Sequence, residues 1–461
     1  MLRKLSAPTD LTVGTPWKNI LLFTIPMIIG NIAQQLYNTV DSIVVGKYIG
    51  DNALASVGSA GPLLNMLLVL FIGISAGATI MTSQYYGAKD REKLSYTIGN
   101  SITVTAICCV FLILVASPLI RPILVLLNTP DEIIDGCAGY LMISLIGIAG
   151  LAYYNILSGI IRGLGDSFTP LIYLLIATVI NVVLDIYFVA VVQMGVAGVA
   201  LATVIAQAIS SILCLVKLAK MREYFDFKLK YLKPKKDFVK TIISLGLPSG
   251  ATQAIMSSAM IVVQSLTNQF GPQFIAANVV IMRVDGFAMM PNFSFGMAMT
   301  TYAGQNVGAG LYDRVTKGAK QGTWMAIAFS MAITCCILLF GRTLMGFFTD
   351  TAELVAMSYR LMKILAVGYI AMAVTQSLSG VMRGAGDTLT PMWISLITTV
   401  ALRVPIAYGI SYLTRTPELP VGRCECIQIS LLASWIMGAI LTSIFYRCGK
   451  WKKKAIIVKE G

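Results

Sequence analysis

Histidine is absent from the 461 residues, and charged residues make up only 12% of them. The first absence removes the commonest general base, the commonest metal ligand and the side chain that titrates near neutrality. Hydrolytic triads and zinc chemistry are therefore poor expectations. The second absence excludes a soluble globular fold. Soluble domains carry about 25% charged and about 45–50% apolar residues, whereas hydrophobic residues reach 57% here. So few charges could not cover that much apolar surface. No nucleotide-binding loop, metal cluster or nucleophile–base pair appears, so neither a catalytic residue nor a cofactor is expected and an enzyme is the weakest class. The nine cysteines form no framework. Cys108–Cys109, Cys137, Cys214 and Cys335–Cys336 lie in apolar runs as small hydrophobes. Cys424 and Cys426 have C-x-C spacing in a polar loop, but no second pair lies nearby to complete a metal or redox site. Met1–Pro16 lacks the charged-then-apolar pattern of a cleavable leader, so the first apolar helix is expected to act as its own insertion signal.

What is present is a series of twelve apolar segments, each near or above the roughly 20 residues that span a bilayer. They fall at 16–46, 53–84, 94–118, 134–160, 168–192, 195–219, 240–269, 274–305, 316–345, 356–382, 390–413 and 427–447. The longest break, Met221–Phe238, is short and basic. Of the 35 Lys and Arg, 26 lie in the even-numbered loops and at the two ends, and 7 in the odd-numbered loops. By the positive-inside rule this places both termini and the basic segment in the cytoplasm. The net charge of +14 then expresses topology and attraction to anionic lipid rather than nucleic-acid binding.

The chain is also a tandem duplication. Arg162-Gly-Leu-Gly-Asp-Ser-Phe-Thr-Pro170 recurs as Arg383-Gly-Ala-Gly-Asp-Thr-Leu-Thr-Pro391, and Gln84-Tyr-Tyr-Gly-Ala88 as Gln305-Asn-Val-Gly-Ala309. Ile25-Pro26 recurs as Leu247-Pro248, one residue further. Six helices repeat in six. An even number gives both repeats the same orientation, so two six-helix lobes should flank a central cleft, as in alternating-access carriers. The expected division is 1–220 for the first lobe, 221–239 for a basic cytoplasmic linker and 240–461 for the second lobe with its basic tail.

Polar groups inside spans are costly and are functional candidates by default. Asn31, Gln34, Asn38 and Asp41 share one face of the first span. Asn181 and Asp185 meet at i and i+4 on the fifth, as do Thr203 and Gln207 on the sixth. Two carboxylates with neighbouring amides can form a proton or sodium site. The competing account for the amides is helix–helix hydrogen bonding, and for Asp185 a structural carboxylate capped by Asn or Thr. In the second lobe Arg283 and Asp285 could form a structural ion pair, with Arg403 in the eleventh span. Span eight is rich in Met and Phe, including Met289, Met290 and Phe293, which make adaptable walls for varied ligands or ordinary packing. Pro26 and Pro248 sit mid-helix at matching positions and would permit kinks. In the R-G-x-G-D-x-x-T-P turns, Asp and Thr can cap the next helix and Pro starts it.

These features together resemble the multidrug and toxic compound extrusion (MATE) family. The duplicated R-G-x-G-D-x-x-T-P turns, the duplicated Gln-x-x-Gly-Ala motifs, and Ile25-Pro26 with Asp41 carry the likeness over the whole chain. The resemblance implies export, from the plasma membrane, of amphipathic and often cationic compounds in exchange for inward H⁺ or Na⁺. It implies no nucleic acid and no obligate protein partner beyond the bilayer. Members with an ion site in the first lobe use an Asp on helix one, an Asn and an Asp four apart on helix five, and a Thr on helix six. Asp41, Asn181, Asp185 and Thr203 match these. The helix-one Pro that bends in such members matches Pro26. Members with carboxylates on helices seven and ten instead have Met256 and Met372 as their counterparts here, which moves the expected ion site to the first lobe. Gln34, Asn38, Gln207, Met256, Met289, Met290 and Phe293 are the expected cleft residues. A lipid-linked saccharide flippase shares the architecture, but its phosphate-bearing cargo would need several cavity Lys or Arg. A major facilitator carrier also has parallel repeats, and Gly87–Arg91 faintly echoes its loop, but the duplicated turns argue against it.

Overall fold

The computed structural model describes residues 8–48, 51–127 and 129–457, with the side chains of 37–47 and 51–55 outside that description. Among the described residues the protein is all helix, apart from one isolated bridge between Thr416 and Leu419. The helices are α1 (Pro16–Tyr48), α2 (Asp51–Gly87), α3 (Arg91–Ala116), α4 (Ile120–Leu126), α5 (Asp131–Ile146), α6 (Ile148–Gly163), α7 (Phe168–Ile186), α8 (Val196–Lys220) and the short α9 (Leu229–Leu232). The second half continues with α10 (Lys236–Gln269), α11 (Pro272–Gly308), α12 (Tyr312–Gly346), α13 (Ala352–Ala366), α14 (Gly368–Gly384), α15 (Leu389–Leu396), α16 (Arg403–Leu413) and α17 (Cys426–Arg447).

Nine of the described helices are long and apolar enough to cross a membrane, and eleven spans result when two bent pairs each count as one. The 34-residue α10 is long enough to be the twelfth. It carries many Ser, Thr, Gln and Asn residues, which suits a helix bordering a cavity. Large side chains such as Leu114 and Leu339 are 70% and 76% exposed. In a bilayer such outward residues meet acyl chains.

Three spans are interrupted. The fourth bends by 50° between α5 and α6, at Gly147, and the tenth by 44° between α13 and α14, at Val367 next to Gly368. These glycines lie 221 positions apart, the spacing of the duplicated motifs. At each a Cβ would collide with a facing side chain, Val204 or Trp435. The eleventh contains a wide-turn segment, Ile397–Leu402, closed by a bond from the Arg403 amide to the Thr398 carbonyl. Pro405 explains it: without an N–H, proline cannot complete the ordinary ladder. A similar wide turn, Tyr187–Val191, follows α7.

The chain divides into two compact units. The first comprises Ile25–Gly250 with the chain up to Asp10, and the second Leu11–Thr24 with Ala251–Gly461. The division does not fall at the basic linker. It cuts α1 beside Pro26 and α10 two residues after Pro248, and both helices run on through their prolines.

In the first unit α2 meets α6 where Gly159 faces Ser75 and Thr79, and Gly163 faces Thr79 and Thr82. The start of α10 lies against α2 where Gly73 meets Gly246 and Gly77 meets Ile242; a Cβ on Gly73 would sit 2.8 Å from the Gly246 carbonyl oxygen. Small residues allow such close backbone approach between membrane helices. The basic linker is pinned to α3. Arg91 donates to the carbonyls of Arg222 and Glu223, both at 2.7 Å, and pairs with Asp226 at 2.8 Å. Asn100 accepts from the Lys235 amide at 2.7 Å.

In the second unit α11 meets α14 at Gly296–Gly380 and Thr300–Gly384, again 221 positions beyond the first-unit pairs. The segment before α1 is held here. The Leu11 amide donates to Gln305 Oε1 at 3.0 Å, Asn306 donates to the Leu11 carbonyl at 3.2 Å, and Arg314 donates to the carbonyls of Val13 and Gly14, both at 2.7 Å. The repeated Gln-x-x-Gly-Ala motif thus has a definite role in this unit: Gln305 receives the incoming chain.

Both R-G-x-G-D turns place their second glycine, Gly165 and Gly386, at φ +94° and +97°, where other residues are strained. Asp166 then accepts from the Thr169 amide at 2.9 Å and hydroxyl at 2.6 Å, and Asp387 from the Thr390 amide at 3.3 Å and hydroxyl at 2.7 Å. The Asp–Thr pair caps the following helix as the sequence suggests. Among the described residues only the first copy adds a cation, Lys217, 3.3 Å from Asp166.

Candidate functional site

In the first unit, α7 and α8 each carry two polar residues one turn apart, so each pair points to one side. The structure brings the two helices together along those sides. Asn181 and Asp185 are fully buried and Gln207 is 4% exposed. Asn181 Nδ2 donates to Thr203 Oγ1 at 3.4 Å. Among the described residues neither Asn181 Oδ1 nor Gln207 Oε1 has a hydrogen-bond partner. A carboxylate with amide and hydroxyl oxygens beside it is the donor set of a hard monovalent cation or a proton. Buried polar atoms ordinarily find partners, so the two open carbonyl oxygens single out these facing helices as a candidate site. Asp41 and Asn38 have side chains outside the described residues. Gln34 is half-buried on α1.

In the second unit, a cavity of about 420 Å³ is lined by Met256, Met289, Met290 and Phe293, four of the expected cleft residues. The polar face of α10 contributes Gln253, Ser257, Gln264 and Thr267. Asp285 and Arg403 also line it. The expected Arg283–Asp285 pair is absent: Arg283 is exposed and no ion pair joins it to Asp285. Residues two apart on a helix point to different sides. Asp285 instead accepts the hydroxyl of Tyr369 at 2.8 Å, and its electrostatic partner is Arg403.

Tyr369 is fully buried, sits 5.6 Å from the Trp435 ring centroid, and its carbonyl accepts from Asn292 at 3.3 Å. Ser330 completes the chain by donating to Asn292 at 2.8 Å. Neither Tyr369 nor the Asn278–Gln428 amide pair, 3.4 Å apart across the cavity wall, stands out in the sequence. The one available signal was a tyrosine within an apolar helix, since a buried phenol needs a partner. Met372 is buried in the apolar core. All nine cysteines are free, and among the described residues no three His, Cys, Asp or Glu side chains gather as metal ligands.

Comparison with known proteins agrees with this layout. The MatE family profile matches residues 26–187 and 248–409, so each matched stretch begins at one of the two mid-helix prolines. The probable multidrug resistance protein YoeA of Bacillus subtilis is 30% identical, over 95% of this chain and 95% of its own length. The probable multidrug resistance protein NorM of Thermotoga maritima is 25% identical, over 96% and 95%. Among solved structures, MATE in complex with MaL6 superposes with a TM-score of 0.89 at 24% identity, covering 96% of this chain and 99% of that one. MATE in the bent conformation gives 0.88 at 24% identity, covering 96% and 98%.

Proposed function

The chain belongs to the MatE family, and on that premise we propose that it is a secondary active multidrug exporter of the plasma membrane, a transporter rather than an enzyme. It exchanges amphipathic organic compounds for inward H⁺ or Na⁺ by alternating access, with both termini in the cytoplasm. Relatives named as multidrug resistance proteins support the cargo class, and the distribution of Lys and Arg supports the orientation.

The observation that carries the coupling is the contact between Asn181 and Thr203 beside the buried Asp185. In this scheme an ion arriving from outside binds Asp185, Asn181 and Thr203 together with Asp41. Ion binding favours a conformation of α1 with weaker affinity for drug, and the cargo leaves outward. The ion then departs inward as the units rearrange about Pro26 and Pro248.

The test is gradient-driven ethidium efflux in proteoliposomes, with a pH gradient alone and then a sodium gradient alone. Asp41→Asn and Asp185→Asn should each abolish efflux while leaving folded protein in the membrane. Wild-type efflux in both variants rules out the site. A saccharide-lipid flippase is less well supported, because among the described residues one arginine, Arg403, lines the second-unit cavity and Asp285 offsets it.

A further inference from the structure

Asp285 and Arg403 border the same second-unit cavity, yet neither is used up by the other. No ion pair joins them among the described residues, although each feels the other's charge. Asp285 accepts one bond, from Tyr369, through a single oxygen. Among the described residues Arg403 Nε has no hydrogen-bond partner, and neither has Oε1 of Gln428, which lines the same cavity. The wide turn Ile397–Leu402 ends at Arg403, and Thr399 within it lines the cavity too. The arginine is therefore set by a distorted backbone, a recurrent feature of functional sites in helices.

An arginine and an aspartate whose only purpose was structural would close on each other, because separated charges of opposite sign are poorly compensated away from water. Here both remain available within one drug-sized space whose formal charge is zero. A ligand with a single net charge would satisfy one of them and leave the other uncompensated. A ligand bearing both signs would satisfy both at once. We propose that this cavity binds zwitterionic amphipathic small molecules, the ligand's acid group on Arg403 and its cationic nitrogen on Asp285. Met256, Met289 and Met290 would fit the apolar body, methionine being able to adapt to varied shapes. The assignment deepens the exporter reading by naming a cargo class for one unit, but its test reads binding alone and requires no transport.

The test compares two dyes that differ only in a free carboxylate: tetramethylrhodamine, a zwitterion, and its methyl ester, a cation. The full chain is held in uncharged dodecyl maltoside micelles and binding is followed by fluorescence anisotropy. Wild type should bind the zwitterion at least about tenfold more tightly, the spread of one charge-assisted contact. Arg403→Gln should bring the ratio to about one by weakening only the zwitterion, and Arg403→Lys should keep a preference. Asp285→Asn should weaken the ester more than the zwitterion and so raise the ratio, which keeps the test decisive if Arg403→Gln fails to fold. A wild-type ratio of one or below, or a ratio unmoved by Arg403→Gln and Asp285→Asn alike, overturns the proposal. Adding phosphatidylethanolamine separates a drug site from a lipid-headgroup site: an unchanged ratio supports the former, and displacement of the zwitterion by the lipid overturns it. Loss of ethidium efflux with the dye ratio intact would remove the exporter reading and leave this site standing.

Discussion

Asn181 on α7 gives its side-chain N–H to the Thr203 hydroxyl on α8 at 3.4 Å, one turn from the fully buried Asp185. Two helices are thereby joined on the face that carries the carboxylate. Thr203→Val removes a hydroxyl and keeps the shape. A hydrogen bond of about 1 kcal/mol net corresponds to a roughly fivefold change, so the half-saturating concentration of the coupling ion should rise by about that factor. Ion-concentration dependence of efflux checks this; an unchanged midpoint would remove Thr203 from the site.

Gly73 packs its α-carbon against the Gly246 carbonyl, and a Cβ there would lie 2.8 Å from that oxygen. Gly73→Ala should destabilise the first unit by roughly 1–3 kcal/mol, the usual cost of overpacking. Gly58 lies in the same helix with nothing within 4 Å of its would-be Cβ. Gly58→Ala should be neutral or stabilising by up to about 1 kcal/mol through helix propensity. Thermal unfolding of the two variants in detergent gives the comparison.

Arg314 holds the carbonyls of Val13 and Gly14, while Gln305 takes the Leu11 amide. Arg314→Ala should leave α12 folded yet raise amide exchange across residues 11–14 by about tenfold, the scale of a charge-assisted bond lost at a helix entry. Gln305→Ala should act most strongly on Leu11. Hydrogen exchange read by mass spectrometry of the N-terminal peptides distinguishes them.

The Arg91 guanidinium, through its hydrogen bond, holds the half-buried Asp226 carboxyl below the usual carboxylate range. Because the folded value is the lower one, this attachment of the linker is fully present above the unfolded carboxylate value of about 3.9 and fades as pH falls through the folded one. Arg91→Ala should move the Asp226 titration upward, as followed by NMR of carboxyl-labelled protein. It should leave behaviour between pH 6 and 8 unchanged, since Asp226 is ionised there in both forms.

Much of the architecture was legible because lipid imposes a simple rule on sequence: apolar runs must span, and their flanking charges report sides. The duplicated turns located the repeats, and of the i, i+4 pairs on spans five and six Asn181 meets Thr203. Asn38 and Asp41 lie outside the described side chains and leave the third member of that cluster to experiment. Spacing misled for Arg283 and Asp285, where nearness along the chain stood in for nearness in space. The true partner, Tyr369, lies 84 positions away, beyond the reach of any local pattern. The breaks at Gly147 and next to Gly368 were hidden because a glycine in an apolar run looks like any small packing residue until the neighbour crowding it is known.

The exchange of leading segments, with Leu11–Thr24 housed in the second unit and the opening turns of α10 in the first, bears on how such a chain arose. A single-repeat ancestor with this arrangement would have lent the opening turns of its first helix to a sister copy, making an intertwined homodimer. Gene fusion would then have tethered partners already dependent on each other. Today's halves, severed within Met221–Lys235 and synthesised separately, should each be left missing a piece the other carries, and should mature only when produced side by side.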